Sequence, residues 1–333
     1  MKALILRAPH ELTIQEQSLG PLPEGWARVR MLAAALNHRD EWIIQGQYAK
    51  IRYPSILGSD GCGIVVDVTG EDRSLIGKRV IINPNQEWGS DERAQSSAYT
   101  ILGMPSAGTF AEYVDVPVHR LHRTPEHLSD EEAAALPLAG LTAYRAVFVQ
   151  GGFTPDDTLL ITGIGGGVAL FALQFALAAG AASVAVTSGV SWKLDRAKGL
   201  GAHCGVLYTT DGWWEEIRRA FGGFDLAVDG TCGEQFNRLV AIAKPAGRIV
   251  IYGATAGPVP MLDVHRIFWK QLRIIGSTMG SDDNFSQMVD FVARHRIKPI
   301  VDSVYALEEY EHAFARLRQR QQFGKVILRI AER

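Results

Sequence analysis

The sequence predicts an α/β protein of two domains, a doubly wound parallel sheet joined to a second, mostly β domain. Three observations carry this. The chain is 333 residues long, beyond the size at which one hydrophobic core usually suffices. Residues 1–122 read as short β segments punctuated by Gly and Pro, whereas residues 123–265 alternate apolar strand runs with helical runs. That alternation is the pattern of βαβ units. Hydrophobic content of 47% and charged content of 21% provide for two packed cores under an ordinary surface.

Taken in order, the early strands are KALILRA (2–8), ELTIQEQ (11–17), WARVRMLAAAL (26–36), GIVVDVT (63–69), KRVIINP (78–84) and FAEYVDVP (110–117). Each is rich in Val, Ile or Leu, and several alternate polar with apolar residues. The connections GPLPEG, YPSILGSDG and TGEDRSLIG have turn chemistry. A partly open barrel is the expectation. The stretch 125–148 is helical in pattern, with Ser129 as N-cap and Glu132 three residues later, the spacing of a capping box. Strand and helix then alternate from DTLLITG to RIVIYG (157–253). The strands are almost continuously apolar, as in a parallel sheet buried on both faces. The final segment, KQLRIIGSTMG to KVILRI (270–330), carries one amphipathic helix, LEEYEHAFARLRQRQ, and is expected to return to the β domain. The domains are therefore 1–122 with 266–333, and 123–265.

Composition excludes several classes. A net charge of −2 gives no electrostatic reason to bind nucleic acid or an anionic membrane. No apolar run reaches the about 18 residues needed to span a bilayer. The start, MKALILRAPH, has no long apolar core and does not read as a secretory leader. Three cysteines, Cys62, Cys204 and Cys232, are odd in number and far apart. They read as reduced thiols of a cytoplasmic protein rather than a disulfide framework.

The stretch TGIGGGVALFALQFA follows a strand and opens a helix. Gly163, Gly165 and Gly166 permit a tight turn and close backbone approach to a pyrophosphate, and Gly167 with Ala169 keeps the helix near the sheet. Exposed N–H groups and the helix dipole favour an anion there. Val168 stands where a strict GxGxxG has its third glycine, while Gly163, Gly166 and Ala169 fit GxxGxxA. In its βαβαβ context this is a Rossmann dinucleotide site. A ribose 2′-hydroxyl is usually held by an acid at the end of the second strand. Here that end reads VTSGVSWK, with no acid before Asp195. Ser188, Ser191 and Lys193 would instead make charge-assisted hydrogen bonds to a 2′-phosphate, so the expected cofactor is NADP(H) rather than NAD(H).

A polar run, Asn37-His38-Arg39-Asp40, ends the strand WARVRMLAAAL and precedes Trp42 and IIQGQY. By residue type alone it is compatible with a metal site, a catalytic site or a solvated corner.

Nearly the whole chain resembles the medium-chain dehydrogenase/reductase superfamily. The likeness rests on the glycine loop, ALNHRDEWIIQGQY, YPSILGSDGCGIV, LAGLTAYRA, GRIVIYG and FGKVIL. It implies a GroES-like catalytic domain beside the Rossmann domain. Many members hold a catalytic zinc at three positions, which here are Asn37, Ser59 and Leu138; none supplies the Cys, His or carboxylate donor that zinc needs. His38 and Asp60 are the only nearby candidates, too few for a tight site. The lobe that binds structural zinc in some relatives corresponds to PNQEWGSDERAQSSAY, which has no cysteine. No metal is expected.

The sequence is more similar to the zinc-lacking quinone oxidoreductase and enoyl reductase branch, which carries Asn, a middle aromatic and a tyrosine in this segment. Here these are Asn37, Trp42 and Tyr48. The resemblance implies a catalytic wall of Asn37 and Tyr48, with Trp42, His38 and Arg39 in attendance. It also puts Thr142, Tyr252, Gly253 and Lys325 near the cofactor. Without a Lewis acid, hydrogen-bond donors must stabilise charge on the acceptor oxygen. The expected activity is NADPH-dependent reduction of a quinone, enone or related activated carbonyl. Its rivals are an alcohol dehydrogenase for small alcohols or aldehydes and an NADP-binding protein without turnover. The family also implies a homodimer or homotetramer joined through sheet edges, for which PVPMLDV (258–264) is the candidate edge.

Overall fold

The computed structural model of the chain describes residues 1–70 and 73–331. It divides into two compact units, Met1–Ala139 with Ser281–Arg333, and Gly140–Gly280. Both boundaries fall later than the 122/123 and 265/266 of the sequence reading. Helix Asp130–Ala135 packs on strands of the first unit, and KQLRIIGSTMG supplies a strand to the second rather than returning to the first. The capping box at Ser129 is present: Glu132 N donates to Ser129 Oγ at 3.1 Å, and Ser129 N donates to Glu132 Oε2 at 2.8 Å.

The first unit is built around the strand Trp26–Ala35, which pairs antiparallel with Asp60–Val68, Tyr113–Pro117 and Lys325–Arg329. Strand Val301–Ala306 extends the sheet in parallel to Lys325–Arg329. A second sheet joins Lys2–Leu6 to Leu12–Glu16 and Ser55–Ile56. Every early strand expected from the sequence is present. Leu4, Leu57, Phe110, Phe314 and Val326 form one core cluster, on which Tyr48 packs.

The second unit holds a six-stranded, all-parallel sheet. Numbered along the chain, its strands are Thr158–Ile161, Ser183–Ser188, Cys204–Leu207, Phe224–Asp229, Ala243–Ile251 and Arg273–Gly276. They lie in the order third, second, first, fourth, fifth, sixth, the doubly wound arrangement whose order reverses between first and fourth strands. Helix Gly167–Ala178, apolar on nearly all sides, follows the first strand and is buried along most of its length. The segment PVPMLDV is not a strand; the sheet ends at Arg273–Gly276. Pro258 and Pro260 lack the N–H groups that a ladder uses. Near that edge Phe268 and Trp269 are 64% and 82% exposed.

Phe224, on the fourth strand, is fully buried in a cluster with Leu160, Trp213 and Phe236. Replacing it with alanine is expected to lower unfolding free energy by about 3–5 kcal/mol. Urea titration followed by fluorescence of Trp213 and Trp214 measures this, and a shift below about 1 kcal/mol would mean the site collapses freely.

Candidate active site

Strand register assembles a polar cluster in the first unit. Ala35 pairs with Asp60 on one side and Ile327 on the other. Continuing the antiparallel ladder brings Asn37 opposite Lys325, with Leu36 N donating to Val326 O at 2.9 Å. Lys325 Nζ donates to Asn37 Oδ1 at 2.5 Å and to Asp60 Oδ2 at 3.0 Å. Asn37 Nδ2 donates to the same Asp60 oxygen at 2.9 Å. The other oxygen, Oδ1, accepts from Leu138 N at 2.7 Å. Asp60 is fully buried and Lys325 is 4% exposed. Such charges are tolerated away from water because they are paired with each other and carry further hydrogen bonds to Asn37 and Leu138.

The polar run NHRD starts the short helix His38–Ile44. Asn37 is its N-cap, in extended backbone, and donates N–H to Asp40 Oδ2 at 2.8 Å. Asp40 therefore closes the helix start and does not hydrogen-bond Arg39. Burial pushes the Asp40 carboxyl up to about 6, against the opposing pull of Arg39 and the Asn37 amide. Arg39, also buried, points Nη1 at Ser59 Oγ and at Leu102 O, the latter at 2.9 Å. Its Nε makes a long contact of 3.4 Å to Tyr48 Oη, and Cζ lies 5.0 Å from the Tyr48 ring centre. His38 and Trp42 take the exposed side of the same helix, their rings 6.4 Å apart. The structure thus bonds Asn37 to Lys325 and Arg39 to Tyr48, in two groups joined through the consecutive residues Ser59 and Asp60, and leaves His38 and Trp42 outside them. Lys325, expected beside the cofactor, gives its ammonium to Asn37 and Asp60.

In the second unit the glycine loop leaves the first strand and is tied to the second. Ile164 N donates to Thr187 O at 2.7 Å, and Gly163 N to Thr187 Oγ1 at 3.3 Å. Gly166 is the N-cap of helix Gly167–Ala178, and no side chain takes its first-turn amides. Val168 lies inside the first turn. At Gly165 the backbone has φ +119°, and a Cβ there would stand 2.9 Å from Lys193 Cδ and 3.3 Å from Nζ. Only glycine lets the lysine cross the loop this closely. A buried ammonium beside exposed amides at a helix start is a cradle for phosphate, so the residues fit a dinucleotide.

The remaining expected contacts divide. Ser188 is buried and its Oγ accepts from Val190 N at 3.1 Å, while Ser191 is exposed at the start of helix Ser191–Gly199. Tyr252 and Gly253 follow the end of the fifth strand; burial, helped by Asp229, pushes the Tyr252 phenol up and keeps it protonated. Thr142 is buried, its Oγ1 3.6 Å from Met279 Sδ.

Two residues of the second unit were missed. Asp229 ends the fourth strand, fully buried, and accepts from Thr162 Oγ1 at 2.5 Å, Thr231 N at 3.0 Å and Cys232 N at 3.0 Å. It locks the strand ends at the point where sheet order reverses, and an acid directly before glycine in DLAVDG was the available signal. Tyr208 follows the third strand, and its Oη lies 2.7 Å from where a Cβ on Gly189 would stand. Nothing in the local pattern marked it, because its proximity to the Ser188–Val190 turn is a cross-strand contact.

Comparison with known proteins bears on this arrangement. Residues 23–126 match the alcohol dehydrogenase GroES-like domain, and residues 167–294 match the zinc-binding dehydrogenase domain. A zinc-type alcohol dehydrogenase-like protein, YogA of Leptosphaeria maculans, is 34% identical, covering 91% of this chain and 90% of that protein. The chain belongs to the medium-chain dehydrogenase/reductase superfamily. Quinone oxidoreductase-like protein 2 of Bos taurus is 27% identical over 98% of the chain and 91% of its own length. A solved NAD-dependent alcohol dehydrogenase superposes with a TM-score of 0.94 at 38% identity, covering 99% of this chain and all of the other. The protein is therefore an oxidoreductase of this superfamily.

The zinc in those names does not fit this chain. Asn37, Ser59 and Leu138 offer no thiolate, imidazole or carboxylate, and Asp60 is engaged by Lys325, Asn37 and Leu138. Among the described residues no group of three or more His, Cys, Asp or Glu side chains could hold a metal ion.

The Asp40 carboxyl yields a pH prediction. Its folded value, about 6, lies above the ordinary carboxyl range, so the folded state favours the protonated form. The carboxyl then costs nothing below about pH 4, and its cost grows to the order of 3 kcal/mol as pH rises through 6. Asp40→Asn keeps an acceptor for Asn37 N without the charge. Relative to wild type its stability should improve by that order between pH 4 and 7, as read from urea unfolding. A pH-independent difference would refute this.

Proposed function

We propose that the protein is an NADPH-dependent, zinc-independent reductase that delivers hydride to a quinone, enone or related activated carbonyl. The observation that carries this reading is the pair of resident ammonium groups. Lys325 fills the polar centre where relatives would place a metal, and Lys193 lies across the glycine loop. The absence of an acid at the end of the second strand adds to it, as do the Ser188, Ser191 and Tyr208 hydroxyls around that turn. An acid there would repel a 2′-phosphate, whereas lysine and hydroxyls hold it.

When bound, the reduced nicotinamide supplies the hydride. The glycine-loop amides bind the pyrophosphate, and Lys193 binds the 2′-phosphate. Tyr48 donates its O–H to the acceptor oxygen that gains negative charge; because its Oη already accepts from Arg39 Nε, the phenol hydrogen is directed elsewhere. The proton that completes the alcohol or ketone comes through this hydroxyl and is replaced from solvent. Asn37 acts differently from the sequence expectation. Both ends of its amide are used to hold Lys325 and Asp60, so it positions the cationic centre.

NAD(H)-linked alcohol oxidation is the second reading. It is favoured by the name of the similar solved structure and by the nearness of Lys193 to Gly165, where the ammonium serves the pyrophosphate of either cofactor. Lys193→Ala decides between them. NADP selectivity predicts that it lowers kcat/KM for NADPH by about 10- to 100-fold and spares NADH; equal losses for both would leave the alcohol dehydrogenase reading. Tyr48→Phe is expected to lower kcat by about 10²-fold with the NADPH KM retained, and an unchanged kcat removes the hydroxyl from the reaction.

The free thiols of Cys62, Cys204 and Cys232 fit a cytoplasmic protein. Among the described residues no helix is long and apolar enough to cross a membrane. We assign the exposed Phe268 and Trp269 beside the edge strand Arg273–Gly276 to a homodimer contact, since large exposed apolar patches mark interfaces. Trp269→Glu should convert the dimer to monomer in sedimentation velocity; an unaltered profile places any interface elsewhere.

A further inference from the structure

We infer that the first unit carries a carboxylate-binding site built on Arg39, and that the natural acceptor is an activated carbonyl compound which also bears a carboxylate. This substrate class rests on the reductase reading above; the site itself rests on the hydrogen bonding of three side chains.

Arg39 is 6% exposed. Its partners are the Ser59 hydroxyl, the Leu102 carbonyl and the Tyr48 phenol, all neutral. Its Nη2 is buried with no hydrogen-bond partner. Buried cations are ordinarily hydrogen-bonded to an acid, and buried donors to an acceptor; here no carboxylate hydrogen-bonds the guanidinium, and Nη2 has no acceptor. Asp40 acts on Arg39 through space only. Its Oδ2 is taken by Asn37 N, and its Oδ1 makes no hydrogen bond to the guanidinium, because adjacent helix positions point in different directions.

Two further donors share the imbalance. Tyr99 Oη is buried without a partner, and the phenol lies within electrostatic reach of Tyr48 and Arg39. Tyr48 Oη accepts from Arg39, which leaves its own hydrogen to donate. One guanidinium edge and two phenol hydroxyls thus stand as donors without acceptors around a buried positive charge. A neutral ketone would satisfy one donor and leave the guanidinium without a hydrogen-bonded carboxylate. A carboxylate supplies two acceptor oxygens and a negative charge in direct contact, and it suits the planar guanidinium. Tyr48 then serves the reacting carbonyl, while Arg39 and Tyr99 hold the carboxylate.

The test compares 6-oxohept-4-enoate with its methyl ester, an enone pair in which two methylenes insulate the conjugated carbonyl from the carboxyl, so that reactivity is alike and charge differs. For wild type with NADPH, kcat/KM should favour the acid by about 10- to 100-fold. Arg39→Met should bring the ratio near one, and Arg39→Lys, which keeps the charge but not the fork, should fall between. Tyr99→Phe should lower the ratio in part, and it covers the case in which Arg39→Met fails to fold. Calorimetric titration of the saturated 6-oxoheptanoate and its ester reads the same preference without turnover. Reduction of the ester as readily as the acid, or a ratio unmoved in Arg39→Lys and Tyr99→Phe, overturns the carboxylate site and leaves the reductase reading intact. Absence of any NADPH oxidation counts against the reductase reading; the calorimetric preference then decides the site alone.

Discussion

The buried contact of Lys325 with Asp60 and Asn37 is the constraint around which the first unit is organised. It joins the central strand, the strand that begins at Asp60 and the last strand of the chain, at the end where all three meet. Removing one member would strand a charge away from water, which costs far more than the intact pair contributes. The same contact sets the chemistry. An ammonium is fixed at the polar centre and the carboxylate is fully engaged.

The second unit answers a different requirement with the same device. At the glycine loop, backbone amides at a helix start lie beside one buried lysine, an arrangement suited to phosphate. Gly165 lets that lysine lie against the loop, and Asp229 holds the neighbouring strand ends rigid. Neither charged group is a loose surface side chain, so orientation is set before any ligand arrives.

Arg39 shows how a helix start distributes roles over consecutive residues. Asn37 caps, Asp40 closes the cap, and Arg39 between them is turned inward among neutral partners. His38 faces solvent with Trp42. A run of four polar letters thus holds a cap, a buried cation, an exposed ring and a helix-closing acid, and no reading of composition separates them.

Much of the fold was legible because it rests on local rules. Apolar periodicity located the early strands and the alternating βαβ units, and the box Ser129–Glu132 marked a helix start that the structure contains. The glycine loop announced its own backbone geometry. The failures lie where distant segments compete for one sheet. KQLRIIGSTMG is a strand by pattern in either unit, and only the free edge beside Ala243–Ile251 assigns it to the parallel sheet. PVPMLDV looked like an edge by hydrophobicity, but its prolines cannot complete a ladder. The bond of Lys325 to Asn37 was not legible either, because its sequence neighbours say nothing of a residue 288 positions away. By itself, then, the sequence determined superfamily, domain types, the nucleotide loop and the lack of zinc donors, all of which depend on residue identity at short spacing. Tertiary structure alone decided which charges pair, which donors are left over and where Tyr99, Tyr208 and Asp229 stand, because strand register, unlike periodicity, is fixed by long-range packing.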